Sequence, residues 1–284
     1  MTNVVRRVLV FFLGLPLLAA SVFAFPQQNH PLFIAIAVVA SAMSALELKT
    51  FFPVEHTGYR GSSLVFLLIG GVPPLVAALV VVFELSLFYF TALFAVIVGL
   101  TLSVQVLRHS PQEFVGINGT ITSHLFVSLY PGLLAAHVVF MTDLPMSSLV
   151  LLLYLLSVYL NDSMAYVTGM LLGRRSRPLL AISPNKTRVG FFGGFLSSVL
   201  TTLLAAEVLP QLLPGSWLKA LLFGALIGVV TIAGDLAESA LKRSAEIKDS
   251  GNLIPGRGGL LDSIDSPLFV APFFFYAYQL LYVL

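Results

Sequence analysis

Between Gly234 and Ser266 the chain reads GDLAESALKRSAEIKDSGNLIPGRGGLLDSIDS, and this stretch holds ten of the 28 Lys, Arg, Asp and Glu residues of the protein. On a helix, Asp235, Glu238 and Lys242 fall at i, i+3 and i+7 and share one face, with Ser239 and Arg243 one position round. Asp262 and Asp265 stand three apart, just before the next apolar run. If that helix begins a turn early, both carboxylates point the same way. Carboxylates from two helices would repel one another unless a cation lies among them, and hard oxygen donors suit Mg²⁺, which shares its coordination with substrate phosphates. The expected metal ligands are therefore Asp235, Asp262 and Asp265. The alternatives are an ion pair at a helix end for Asp235, and a helix cap and a solvated acid for Asp262 and Asp265.

Between these acids lies Pro255-Gly256-Arg257-Gly258-Gly259. Glycines let backbone N–H groups approach an anion closely. Lys242, Arg243, Lys248 and Arg257 supply cationic partners for phosphate oxygens. An earlier stretch repeats the theme: Asp162 at the end of an apolar run, then Gly173-Arg174-Arg175, then Ser183-Pro184-Asn185-Lys186-Thr187. Ser183 or Thr187 could cap the helix that follows, whose N-terminus favours anions. Arg174, Arg175 and Arg177 can equally be explained by membrane topology or anionic headgroups.

The elements that must carry these groups are membrane helices. The composition is 58% hydrophobic and 10% charged, and the mean hydropathy is +0.97. Long uncharged runs recur throughout, which excludes an ordinary soluble domain and favours an all-α polytopic bundle over a barrel. There are no cysteines, so disulfides and thiolate metal sites are excluded. Nine spans are expected, at about 8–25, 31–52, 62–83, 85–107, 119–141, 147–167, 190–213, 217–241 and 266–284. The third contains Gly70, Gly71, Pro73 and Pro74 and should kink or break. Glu84 alone separates the third from the fourth, which requires a tight turn.

With the N-terminus in the cytoplasm, nine spans put 14 of the 15 Lys and Arg residues on the cytoplasmic side and only Lys219 outside. The C-terminus is then outside. Arg6, Arg7 and the following apolar run also have the look of a secretory signal, but the run is long enough to serve as a retained first helix. Residues 1–145 form an N-terminal set of about five spans, and 146–284 a C-terminal catalytic set of about four, with two polar cytoplasmic loops. Glu47, at the cytoplasmic end of the second span, is expected to pair with Lys49 or line the site. His124 and His137 have no ligand spacing and read as packed imidazoles. Trp217 and Tyr276–Tyr282 fit interfacial anchoring.

The run Ser239-Ala-Leu-Lys242-Arg243, Lys248-Asp249, Pro255-Gly256-Arg257-Gly258-Gly259 and Asp262-Ser-Ile-Asp265-Ser266 closely resembles the signature of the phosphatidate cytidylyltransferases (CDP-diacylglycerol synthases). A second region is also similar, in Asp162-Ser163-Met-Ala165-Tyr166, Gly173-Arg174 and Ser183 to Thr187. The likeness covers about 160–284; the earlier residues match only in being multispanning. It implies CTP plus phosphatidic acid giving CDP-diacylglycerol and pyrophosphate, with Mg²⁺ as cofactor and a second cation such as K⁺ as a further candidate. It also implies a multi-pass protein of a bacterial inner membrane, active on the cytoplasmic face. Catalytic roles then fall to Asp235, Lys242, Asp262 and Asp265. Substrate contacts fall to Asp162, Ser183, Lys186, Thr187, Ser239, Arg243, Lys248, Asp249, Arg257, Gly258 and Gly259.

Three departures stand out: Arg257 where the family commonly has His, Ser263 where it has Arg, and Arg188-Val189 where it has Trp and an acid or amide. An Arg holds phosphate but does not exchange protons near neutrality. Two other readings remain at this stage: a cytidylyltransferase for another lipid phosphate, and an ion-coupled transporter. The polar groups gather on one side and no half-repeats are visible, which disfavours transport. No nucleic-acid partner is expected. A homodimer paired through small-residue faces stays open, since no face singles itself out.

Overall fold

Apolar runs of the length seen here satisfy their own backbone only as helices, and helices are what the chain forms. The computed structural model describes residues 14–52, 62–107, 114–173, 182–183, 186–254, 256 and 258–284. A short helix α1 covers Gly14–Phe23, followed by α2 (Pro31–Leu48), α3 (Ser63–Val82), α4 (Leu87–Gln105), α5 (Ile117–Asp143), α6 (Ser147–Leu172), α7 (Arg188–Val208), α8 (Trp217–Ser244) and α9 (Leu261–Tyr278). Eight of these, α2 to α9, are long and apolar enough to cross a bilayer. The expected first span lies partly outside the described residues, and only the short α1 is seen of it. The protein is an all-helical integral membrane protein.

Two units divide the chain: Met1–Asp143 with Ser244–Ser263, and Leu144–Arg243 with Ile264–Leu284. In the first, α3 is not broken at its prolines, the stronger of the two outcomes expected there. The helix runs unbroken through Pro73 and Pro74 because its neighbour repairs the damage. Pro74 deprives the Gly70 carbonyl of its intrahelical donor, and Ser41 Oγ of α2 donates to that carbonyl at 2.6 Å. Gly70 and Gly71 allow this approach: a Cβ on Gly71 would lie 3.1 Å from that of Ala42, and one on Gly70 would overlap Ala45. Pro73 in turn packs on Gly132, within a π-turn at Ser128–Leu133 of α5. The turn from α3 to α4 is tight as expected. Glu84 takes φ 51, Leu85 N–H donates to the Val80 carbonyl at 2.9 Å, and Ser86 caps α4 through Phe88 N–H at 3.2 Å. Both span-5 histidines are packed: His124 lies edge-on to Phe66, and His137 Nδ1 meets the Leu133 carbonyl at 2.8 Å.

In the second unit, small residues let α6, α7 and α8 meet closely. Cβ atoms on Gly190 and Gly194 would press to 2.7 and 2.8 Å from the carbonyls of Ala165 and Asn161. Asn161 Nδ2 donates to Ser198 Oγ at 2.8 Å, and Ser198 Oγ donates to the Ser157 carbonyl at 2.9 Å. Thr202 of α7 donates to the Ala220 carbonyl of α8 at 2.9 Å. Phe223, Phe274 and Tyr154 stack across α8, α9 and α6, and Tyr154 Oη donates to the Pro267 carbonyl at 2.5 Å. Trp217 and Tyr276 are exposed, as anchoring requires. Tyr278 departs from that expectation: it is buried, its hydroxyl on the Leu212 carbonyl at 2.9 Å.

Candidate active site

The polar residues of the second unit collect near the ends of α6, α8 and α9. Helices α6 and α8 outrun their apolar stretches, to Leu172 and Ser244. Asp162 thus lies inside α6 rather than ending it. Asp265, buried in the first turns of α9, has the charges of Asp235, Asp162 and Lys242 as its electrostatic neighbours. Asp162 Oδ1 accepts the Ser266 hydroxyl at 3.4 Å. Lys186 forms an ion pair with Asp235, and Lys242 with Glu238 one turn earlier on α8. Glu238 is 1% exposed. An acid buried to that degree must be matched by a cation, and Lys242 matches it.

Thr187 caps α7: its Oγ1 accepts Gly190 N–H at 3.1 Å. Its methyl and hydroxyl lie against Gly169 and Gly173 of α6 and its C-cap, where little more than a glycine fits. Lys186 N–H donates to the Ser183 carbonyl at 3.1 Å, which holds the two residues in one turn. Ser239 is half-buried on α8, and Arg243 is exposed in its last turn. The second unit therefore assembles three acids (Asp162, Asp235, Asp265) and two lysines (Lys186, Lys242) from four chain segments.

The first unit carries the glycine-rich loop. Ile254 and Gly258 exchange backbone hydrogen bonds at 2.8 and 3.1 Å, with Gly256 at φ 84 and Gly258 at φ 112. Only glycine takes these left-handed values without strain. Lys248 and Asp249 are exposed ahead of this hairpin. Arg257 lies outside the described residues, as do Pro255 and Arg174 to Arg177. Asp262 Oδ2 accepts Ser250 N–H at 2.9 Å and Gly259 N–H at 2.7 Å. The Gly259 amide is therefore committed to a carboxylate of the protein.

Of the two roles expected for Glu47, pairing with Lys49 or lining the site, the pairing is not formed: its carboxylate turns to the glycine-rich loop. It accepts Leu260 N–H, Leu261 N–H and Ser250 Oγ, while Lys49 Nζ donates to Ser63 Oγ at 3.0 Å. The lone acid within an apolar span was the available signal. These bonds, with those of Asp262, start α9 at Leu261, a turn ahead of its apolar run. Asp262 and Asp265 consequently share one helical face.

Among the described residues, no three His, Asp or Glu side chains converge into a ready-made metal cage. The donors in the second unit are nonetheless of the kind a hard cation takes, and the Lys186 ammonium occupies a cation's place at Asp235.

Fold and site together define a polytopic membrane protein whose second unit gathers acids and bases suited to phosphate. The model of the Cytidylyltransferase family matches residues 5–281, and the chain belongs to that family. It is 37% identical over 177 residues to Uncharacterized protein YnbB of Escherichia coli (strain K12), covering 61% of this chain and 57% of that one. To the phosphatidate cytidylyltransferase of Bacillus subtilis (strain 168) it is 38% identical over 187 residues, 65% of this chain and 66% of the relative. To that of Thermotoga maritima it is 43% identical over 133 residues, 46% and 49% of the two chains. The chain thus spans about half to two thirds of the length of these curated relatives.

Proposed function

We propose that the protein transfers a cytidylyl group from CTP to phosphatidic acid, forming CDP-diacylglycerol and releasing pyrophosphate. The observation that carries this reading is the gathering of Asp162, Asp235 and Asp265 with Lys186 and Lys242 in a chain of this family. A phosphate oxygen of the lipid forms a bond to the α-phosphorus of CTP. The bond from that phosphorus to the β-phosphate bridge oxygen breaks, and its electrons leave with pyrophosphate. The attacking oxygen is already ionised near neutrality, so no strong base is required. Lys186 and Lys242 bind and orient phosphate oxygens and offset the charge that builds on the leaving group. Lys186 must exchange its pairing with Asp235 for one with phosphate when the nucleotide arrives.

Of the three expected ligands, Asp235 and Asp265 would hold Mg²⁺, with Asp162 close by, whereas Asp262 has its Oδ2 engaged by the amides of Ser250 and Gly259. When bound, the ion supplies charge neutralisation at the triphosphate. Arg243, exposed in the last turn of α8, is suited to the outer phosphates. The distribution of Lys and Arg favours a cytoplasmic N-terminus and a site on the cytoplasmic side of a bacterial inner membrane. The lipid tails stay in the bilayer while the headgroup reaches the site.

The test is an assay of the purified protein in detergent with labelled CTP, Mg²⁺ and a panel of lipid phosphates. Labelled lipid and pyrophosphate should appear in equal amounts with phosphatidic acid. Absence of both with every lipid would refute the reaction, and a preference for an isoprenoid phosphate would reassign the lipid.

A further inference from the structure

An acid within a membrane span is costly and therefore calls for a partner. Glu47 lies in the last turn of α2, and its partners are the loop and first residues of α9. Oε1 accepts Leu260 N–H at 2.8 Å. Oε2 accepts Leu261 N–H at 2.8 Å and Ser250 Oγ at 2.9 Å. Asp262 Oδ2 holds Ser250 N–H and Gly259 N–H. Three successive amides, Gly259 to Leu261, are thus bound by two carboxylates. The backbone is shaped to receive them: a Cβ on Gly251 would lie 2.9 Å from Glu47 Oε1, and one on Gly259 would overlap both Glu47 and Ser250.

We propose that Glu47 is a positioning residue for the loop at Ser250 and Gly259–Leu261, acting on the nucleotide through that backbone and not by contact. The inference rests on the nucleotide reading above. The amides that begin α9 would otherwise form an anion site of their own. Glu47 and Asp262 close these amides to phosphate and fix the chain at Ser250, two residues after the exposed Lys248. Glutamine at this position is nearly isosteric but turns an NH₂ towards backbone N–H donors, so at least one bond is lost and another donor is left facing a donor.

The experiment uses the full chain in detergent, with Glu47→Gln and the milder Ser250→Ala, which removes only the hydroxyl bond. Hydrogen exchange of peptides covering 249–262 should quicken by about tenfold or more in Glu47→Gln and by about two- to fivefold in Ser250→Ala. Peptides from α4 should be unchanged. The KM for CTP should rise by about tenfold in Glu47→Gln with kcat within about threefold of wild type, and the affinity for a fluorescent CTP analogue should fall in step. Ser250→Ala should move the same way by less, and it decides the matter if Glu47→Gln does not fold. Wild-type exchange in the loop overturns the proposal. So does faster exchange with unchanged KM and a kcat reduced only with the folded fraction, since that is structural support alone. Wild-type protein that binds no CTP analogue sinks the nucleotide reading instead, and is thereby told apart from failure of the role of Glu47.

Discussion

Glu47 Oε2 accepts the backbone amide of Leu261 at 2.8 Å, across 214 residues of sequence. A carboxylate from the second helix is thereby the N-terminal cap of the last. A cap is ordinarily local, with Ser, Thr, Asp or Asn beside the helix it serves. Here Leu260, immediately before the helix, has no side-chain oxygen, and a distant acid takes over the task. The consequence is that α9 starts early enough to bring Asp262 and Asp265 onto one face.

Asp265 is buried beside two further carboxylates and Lys242. Asp265→Asn keeps the shape and removes a charge that Mg²⁺ would need. Labelled CDP-lipid formation should fall by about 10²–10³-fold or more. Chelation with EDTA should stop the wild-type reaction, and Mn²⁺ should restore it. A purified Asp265→Asn protein with wild-type turnover would rule out this carboxylate as part of the site.

Lys186 neutralises Asp235. The Asp235 side chain is 32% exposed while the Lys186 ammonium itself is shielded from water, so the pair is only partly solvated. Lys186→Met should tighten Mn²⁺ binding without nucleotide by about two- to fivefold, read by electron paramagnetic resonance titration. The same variant should bind CTP more weakly, because the phosphate partner is gone. Unchanged Mn²⁺ affinity would show that the ammonium and the ion do not compete.

Glu238 is buried against Lys242 and was read from the sequence only as a member of the same helical face. Glu238→Gln leaves a buried ammonium without its counter-charge, at a cost of about 3 kcal/mol. Thermal unfolding in detergent should fall by several degrees and activity should drop with it. Glu238→Gln combined with Lys242→Met should recover much of the stability and none of the activity. A double variant no more stable than the single one would contradict the pairing.

Asn161 ties α6 to α7 through Ser198. Asn161→Leu removes that bond and should cost about 1 kcal/mol. Gly194→Ala places a methyl against Asn161 and should cost about 1–3 kcal/mol. Both are checked by thermal stability monitored with size-exclusion chromatography. Since Asp162 is the next residue on α6, a loss of CTP affinity should accompany the Gly194→Ala shift.

Composition and run length were sufficient for the helical membrane class, because hydrocarbon leaves a backbone few other choices. Eight of the nine expected spans are seen as long helices, and the spacing of Asp262 and Asp265 already implied a shared face if the helix began early. What the sequence could not supply is what each charge touches. The prolines of α3 promised a kink or a break, and the Ser41 hydroxyl on a neighbouring helix, which satisfies the Gly70 carbonyl freed by Pro74, could not be read from α3 itself. Lys49 was the nearest base to Glu47, yet Glu47 turns to amides more than 200 residues away. Periodicity and propensity act over a few residues, so they are written locally along the chain. A buried acid takes whichever donors the packed helices bring within 3 Å, and that is decided only when the chain has folded.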